Sequence, residues 1–110
     1  MSYKLDFYKK VYQVVRQIPK GKVTSYGAIA RAIGSAKSSR TVGYAMNACL
    51  KTDHSIPAHR VVNRNGVLTG KHHFPSLTAM QERLEAEGHL IKDDVIINFK
   101  DVFWDPFHEY

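Results

Sequence analysis

The sequence predicts a mainly α domain with a small β-hairpin, in a winged helix-turn-helix arrangement. Three observations carry this expectation. Apolar residues recur at helical spacing near the start, two short amphipathic segments flank a glycine turn, and an Asn-Gly pair separates two apolar dipeptides.

Tyr8, Val11, Tyr12, Val15 and Ile18 share one helical stripe, widened by Phe7 and Val14, so residues 5–18 are expected to be helical. Pro19 and then Gly21 end that helix. Ser25 is placed to cap a short helix from Tyr26 to Ile33, closed by Gly34. Ser38 or Ser39 is placed to cap the next one, in which Val42, Ala45, Met46 and Cys49 fall at i, i+3, i+4 and i+7. Two short helices joined by a glycine-containing turn read as helix-turn-helix. Val61-Val62 and Val67-Leu68 around Asn65-Gly66 predict a hairpin. Pro75-Ser76 is expected to introduce a helix through Leu77, Met80 and Leu84, stopped by Gly88. Val95-Ile96-Ile97 reads as a last short strand. The tail, with Phe99, Val102, Phe103, Trp104, Phe107 and Tyr110, is too aromatic for a linker and is expected to pack back on the body.

A chain of 110 residues, 44% hydrophobic and 24% charged, suits one domain spanning 1–110. No apolar run reaches the roughly 18 residues of a membrane span, and the first residues lack a signal-peptide core. With the single cysteine Cys49, which excludes an internal disulfide, this leads us to expect a cytoplasmic protein. The net charge of +6 is unevenly spread. Residues 1–72 hold thirteen Lys and Arg against Asp6 and Asp53, a net of +11, whereas residues 73–110 hold three against eight acids, a net of −5. A basic body backed by an acidic end suits a face that binds a polyanion.

Four motifs follow one another: Ile18-Pro19-Lys20-Gly21-Lys22-Val23-Thr24-Ser25-Tyr26-Gly27, Ser39-Arg40-Thr41-Val42-Gly43, Pro57-Ala58-His59-Arg60-Val61-Val62, and Glu85-Ala86-Glu87-Gly88. Their order and spacing resemble the DNA-binding domain of the O6-alkylguanine-DNA alkyltransferases over roughly residues 5–88. Those enzymes carry an acceptor cysteine at the position of Ala58. A methyl group has no lone pair and accepts no alkyl group. The chain is therefore similar to the alkyltransferase-like proteins, which bind alkylated guanine without repairing it. The resemblance implies the C-terminal alkyltransferase type of fold, without the larger amino-terminal domain of many active members.

The same resemblance assigns roles. Arg40, in the first turn of the second helix-turn-helix helix, would enter the base stack from the minor groove in place of the extruded nucleotide. Tyr26 would crowd the adjoining phosphate and help rotate the base, although a tyrosine at that position also suits the core. His59 and Glu87 match the proton-relay pair of active members and keep a structural role here, orienting a pocket bounded by Tyr26, Ala58 and His59. Arg60 is expected to brace this segment. Lys71 is placed either to bind phosphate or to lie near the base, with a solvated lysine as the alternative. The segment His72-His73-Phe74-Pro75-Ser76 departs from the glycine-rich pocket loop of active members. The missing sulfur at Ala58 leaves room for larger alkyl groups.

The expected partner is duplex DNA containing O6-alkylguanine, bound by a monomer without a cofactor and handed on to nucleotide excision repair. Cys49, on an apolar helical stripe, is no acceptor candidate. His54, His59, His72 and His73 lack metal-ligand spacing. Three rivals remain open. One is an alkyltransferase in which alanine has replaced the acceptor. The others are a winged-helix regulator reading sequence in the major groove, and a non-specific DNA binder.

Overall fold

The computed structural model describes residues 3–109. Its first helix, α1 (Tyr3–Gln17), buries Val11, Val14 and Val15 and stops before Pro19. The Lys22 amide donates to the Pro19 carbonyl (3.0 Å), and Gly21 takes the positive φ (86°) that this tight turn requires. A two-residue strand, β1 (Thr24–Ser25), leads directly into α2 (Tyr26–Ile33).

Both ends of α2 follow the sequence expectation. Ser25 is extended, and its Oγ accepts the Ala28 amide at 3.1 Å. Gly34 is left-handed (φ 90°), with its amide on the Arg31 carbonyl and the Ser35 amide on the Ala30 carbonyl. That bond pair is a Schellman termination. The next helix, α3 (Ser39–Thr52), begins after Ser38, whose hydroxyl bonds Ser35 rather than the helix backbone. Val42, Ala45, Met46 and Cys49 turn inward together, as their spacing requires. Helices α2 and α3 pack closely on each other, and α1 packs on both.

The expected hairpin lies elsewhere. The chain does reverse at residues 63–67, where Asn63 Oδ1 accepts the amides of Asn65 and Val67 (both 2.9 Å). However, β2 (Val61–Val62) pairs in parallel with β1, Thr24 opposite Val61 and Ser25 opposite Val62. Both valines are buried, so this strand lies between packed layers rather than presenting a wet face. A two-residue hairpin turn of the Asn-Gly type needs positive φ at both residues, and only Gly66 has it. The antiparallel hairpin consists of β3 (Ile91–Lys92) and β4 (Val95–Ile96), turned by Asp93 and Asp94 at φ 51° and 64°. Val67 forms an isolated bridge with Val95, which fastens this hairpin to the 63–67 turn.

The helix expected from Pro75 begins later, as α4 (Ala79–Ala86), and Leu77 is 63% exposed. A 3-10 turn over Thr69–His73 delivers Phe74 to the core first, under the Arg83 guanidinium 5.3 Å from its ring. The tail packs back as expected through α5 (Phe99–Val102) and α6 (Pro106–Glu109), with Phe99, Val102 and Trp104 against the core, whereas Phe107 is 59% exposed. Val23 donates its amide to Val102 (3.0 Å) and accepts from the Trp104 amide (2.7 Å). Tyr110 lies outside the described residues.

Gly66 tests how tightly the 63–67 turn is built. A Cβ there would stand 2.9 Å from Phe99 Cγ, at a backbone φ of 78°. Gly66→Ala is expected to cost roughly 1–3 kcal/mol, read from urea denaturation midpoints. An unchanged midpoint would mean that Phe99 and the turn relax freely.

Candidate nucleic-acid interface

Two neighbouring constructions hold the residues that the sequence singles out. The first is an open groove of about 390 Å³ between the start of α2 and the outer face of α3, lined by Tyr26, Ser39, Arg40, Gly43, Tyr44 and Asn47. Arg40 is exposed and makes no hydrogen bond or ion pair among the described residues. Its position follows from the helix period: Val42, Ala45, Met46 and Cys49 are drawn into the core, which turns Arg40, Gly43, Tyr44 and Asn47 outward. Ser39, Tyr44 and Asn47 were not anticipated. The signal was available, because Tyr44 and Asn47 stand four and seven residues beyond Arg40 on the same helix face. Tyr44 is 53% exposed.

Tyr26 serves both the core and the groove. Its ring is partly buried against core side chains, and its hydroxyl meets the Thr69–His73 turn. A Cβ at Gly70 would lie 3.0 Å from the Tyr26 oxygen, so glycine permits the close approach. Burial pushes the phenol pKa up, against an opposing hydrogen bond with Thr69, and the hydroxyl is held neutral as donor and acceptor.

The second construction is a polar cluster at the 3-10 turn Ala58–Arg60. Glu87, at the C-terminal end of α4, sits at its centre. Arg60 donates from Nε to Glu87 Oε1 (3.0 Å) and from Nη2 to Oε2 (2.7 Å), while Nη1 donates to the Ile18 carbonyl (2.9 Å). One guanidinium thus ties the turn to the ends of α1 and α4. His59 Nε2 lies 3.0 Å from Glu87 Oε2. An ionised carboxylate only accepts, so Nε2 carries the proton and Nδ1 keeps its lone pair. Burial alone would raise the Glu87 pKa, but the hydrogen bonds and charges of Arg60 and His59 outweigh it and bring it down to about 2. Burial pushes His59 the other way for its class, below its usual value, with Glu87 opposing. His59 is thus neutral at pH 7, and the permanent charge of Arg60 sustains the carboxylate. His89 is buried behind the cluster, its pKa lowered chiefly by burial.

Ala58 opens this turn and is only 5% exposed, with its methyl group in the core. Neither Ala58 nor His59 lines the Tyr26–Arg40 groove; both belong to the neighbouring 3-10 turn. Lys71 is not a free cation, because its Nζ pairs with Asp94 Oδ2 at 2.5 Å. Cys49 donates its thiol to the Met46 carbonyl at 3.2 Å, and burial first, then Asp53, pushes its pKa up to about 11. A thiol so held is protonated and unreactive at neutral pH.

The cluster makes the fold sensitive to acid. A depressed carboxylate contributes stability that is present above its unfolded pKa and is lost as pH falls towards about 2. A depressed histidine acts in the same direction, since below about pH 6.5 the unfolded chain takes up the proton first. The melting temperature is expected to fall steadily from pH 7 to pH 3. Glu87→Gln should cost about 3 kcal/mol at pH 7, by leaving Arg60 without its anion, and should flatten the acid limb. An equally steep limb in that variant would place the acid sensitivity elsewhere.

Comparison with known proteins agrees with this geometry. Residues 6–89 match the family model described as 6-O-methylguanine DNA methyltransferase, DNA binding domain. Alkyltransferase-like protein 1 of Schizosaccharomyces pombe is 36% identical over 105 residues, which cover 92% of this chain and 96% of that protein. A DNA base-flipping protein of Escherichia coli is 37% identical over 101 residues, 90% of this chain and 74% of that protein. The crystal structure of S. pombe Atl1 in complex with damaged DNA containing O6-carboxymethylguanine superposes with a TM-score of 0.81 at 35% identity, over 94% of this chain and 98% of that one. The chain belongs to the family of the 6-O-methylguanine DNA methyltransferase DNA-binding domain.

Proposed function

We propose that the protein is a non-catalytic sensor of O6-alkylguanine in duplex DNA. The observation that carries this reading is Ala58 at the head of an intact His59–Glu87 pair. The hydrogen-bonding frame remains, but the side chain it would activate has no electron pair to donate. The solved complex of the S. pombe relative with damaged DNA supports the choice of ligand.

In this reading α3 enters the minor groove, Tyr26 presses on the phosphate beside the lesion, and Arg40 fills the gap left by the flipped nucleotide. Arg40 suits that task because no carboxylate among the described residues competes for it. Gly43 keeps the groove floor flat, since a Cβ there would meet nothing of the protein itself. The alkylated base enters towards Ala58 and His59. Lys71 faces phosphate or the base edge. The protein acts as a monomer in the cytoplasm, and the distorted complex marks the lesion for nucleotide excision repair. The intact His59–Glu87 pair also favours a second reading, a latent alkyltransferase lacking only its thiol. In that case Ala58→Cys takes up one alkyl group per protein from lesion DNA.

The test compares two short duplexes at fixed salt, identical except for one O6-methylguanine, with protein mass measured afterwards. Preference for the modified duplex without mass gain is expected. Equal binding would overturn the sensor reading, and a gain of one methyl group would reveal an acceptor. Arg40→Ala is expected to weaken lesion binding by about 2–3 kcal/mol, roughly 30- to 150-fold. Gly43→Ala separates stability from binding. It should stabilise α3 by about 0.5–1 kcal/mol yet weaken DNA binding, because its methyl group points into the groove. Unchanged affinity in both variants would remove the groove from the interface.

A further inference from the structure

Asp94 was not singled out by the sequence, yet it is fixed where it governs a cation of the proposed interface. Its carboxylate lies 2.5 Å from Lys71 Nζ, with the Lys71 side chain 25% exposed and that of Asp94 40%. The backbone holds it there. Asp94 is the second residue of the β3–β4 turn, and its carbonyl accepts the Leu68 amide at 2.9 Å. The Ile96 amide donates to the Gly66 carbonyl at 3.0 Å, and Val95 bridges Val67. The hairpin is thus clamped along the segment that runs into Lys71. The next residue back, Gly70, is the one that meets the Tyr26 hydroxyl. The turn carrying Lys71 therefore abuts the groove of Tyr26 and Arg40, and a rigid element supplies a counter-charge to it.

Resting on the sensor reading above, we infer that Asp94 is an electrostatic latch on Lys71 that restrains binding to undamaged DNA. A phosphate reaching for Lys71 must replace an ion pair already made, and it meets a second negative charge as it does so. Lys71 then contributes little to sequence-independent attraction. Arg40, which has no such partner among the described residues, remains available to enter the duplex. A lesion sensor gains from this division because undamaged sites vastly outnumber damaged ones.

The experiment measures binding to the undamaged and the O6-methylguanine duplex across a salt series for the parent, Asp94→Asn, Lys71→Met and the double variant. Asparagine tolerates the left-handed conformation as aspartate does, so the hairpin is retained. Asp94→Asn is expected to bind the undamaged duplex roughly three- to tenfold more tightly at low salt. The slope of log K against log salt should steepen by about one unit. In the Lys71→Met background the gain should largely disappear. Three results would overturn the latch: unchanged affinity in Asp94→Asn, weakened affinity, or an equal gain with and without Lys71. Equal binding of both duplexes by the parent would instead defeat the sensor reading. The latch would still be read from the undamaged series.

Discussion

The Arg60–Glu87 fork is the contact on which the rest of the arrangement depends. It joins three segments distant in sequence: the end of α1 through the Ile18 carbonyl, the 3-10 turn at Ala58, and the end of α4. Immediately after Arg60 the chain enters β2, whose parallel pairing with β1 sets where α2 begins. Anchoring the guanidinium therefore fixes the register of the segment that leads to Tyr26. A partly buried carboxylate is costly alone and inexpensive when forked by an arginine and met by an imidazole. This explains how a polar cluster persists beside a core of valines.

The groove and the polar cluster use different physics. The groove rests on helix periodicity, since burial of one face of α3 dictates which side chains point away from it. The cluster rests on directional hydrogen bonds from residues on separate elements. They meet through the Thr69–His73 turn, where Gly70 touches Tyr26 and Phe74 enters the core. A small domain thus places an exposed cation, a half-buried phenol and a half-buried ion pair side by side.

The legibility of this chain varied with the range of the forces involved. Helix α2 was readable to the residue, because Ser25 and Gly34 act through bonds to backbone a few positions away. The inward face of α3 followed from periodicity alone. The partner of β2 was not readable, since two consecutive buried valines carry no alternation and Asn65-Gly66 outweighed them in any local reading. Asp93-Asp94 was missed as a turn because neither residue is glycine, and β3 was missed with it. The delayed start of α4 came from the 3-10 turn, which Phe74 imposes by burial rather than by propensity. Site residues were nominated by motif. Sequence alone did not show that Ala58 is enclosed or that Lys71 is paired, whereas the helix face that Tyr44 and Asn47 share with Arg40 was open to a periodicity reading.

The hydrogen bonds on both sides of Val23 have a consequence for how this fold is assembled. Its amide and carbonyl are satisfied by Val102 and Trp104, while the two residues that follow it, β1, pair with β2. The segment from Val23 to Ser25 is thus held by partners remote in sequence, and each closure carries a loop-entropy cost before any bond repays it. Helices α1 to α3 form largely from local contacts and are free to assemble early. Docking of the tail against Val23 closes a longer loop than the β1–β2 pairing does, and so carries the larger closure entropy. Solvent exchange at the Val23 amide therefore reports release of the tail and not fraying of the helices.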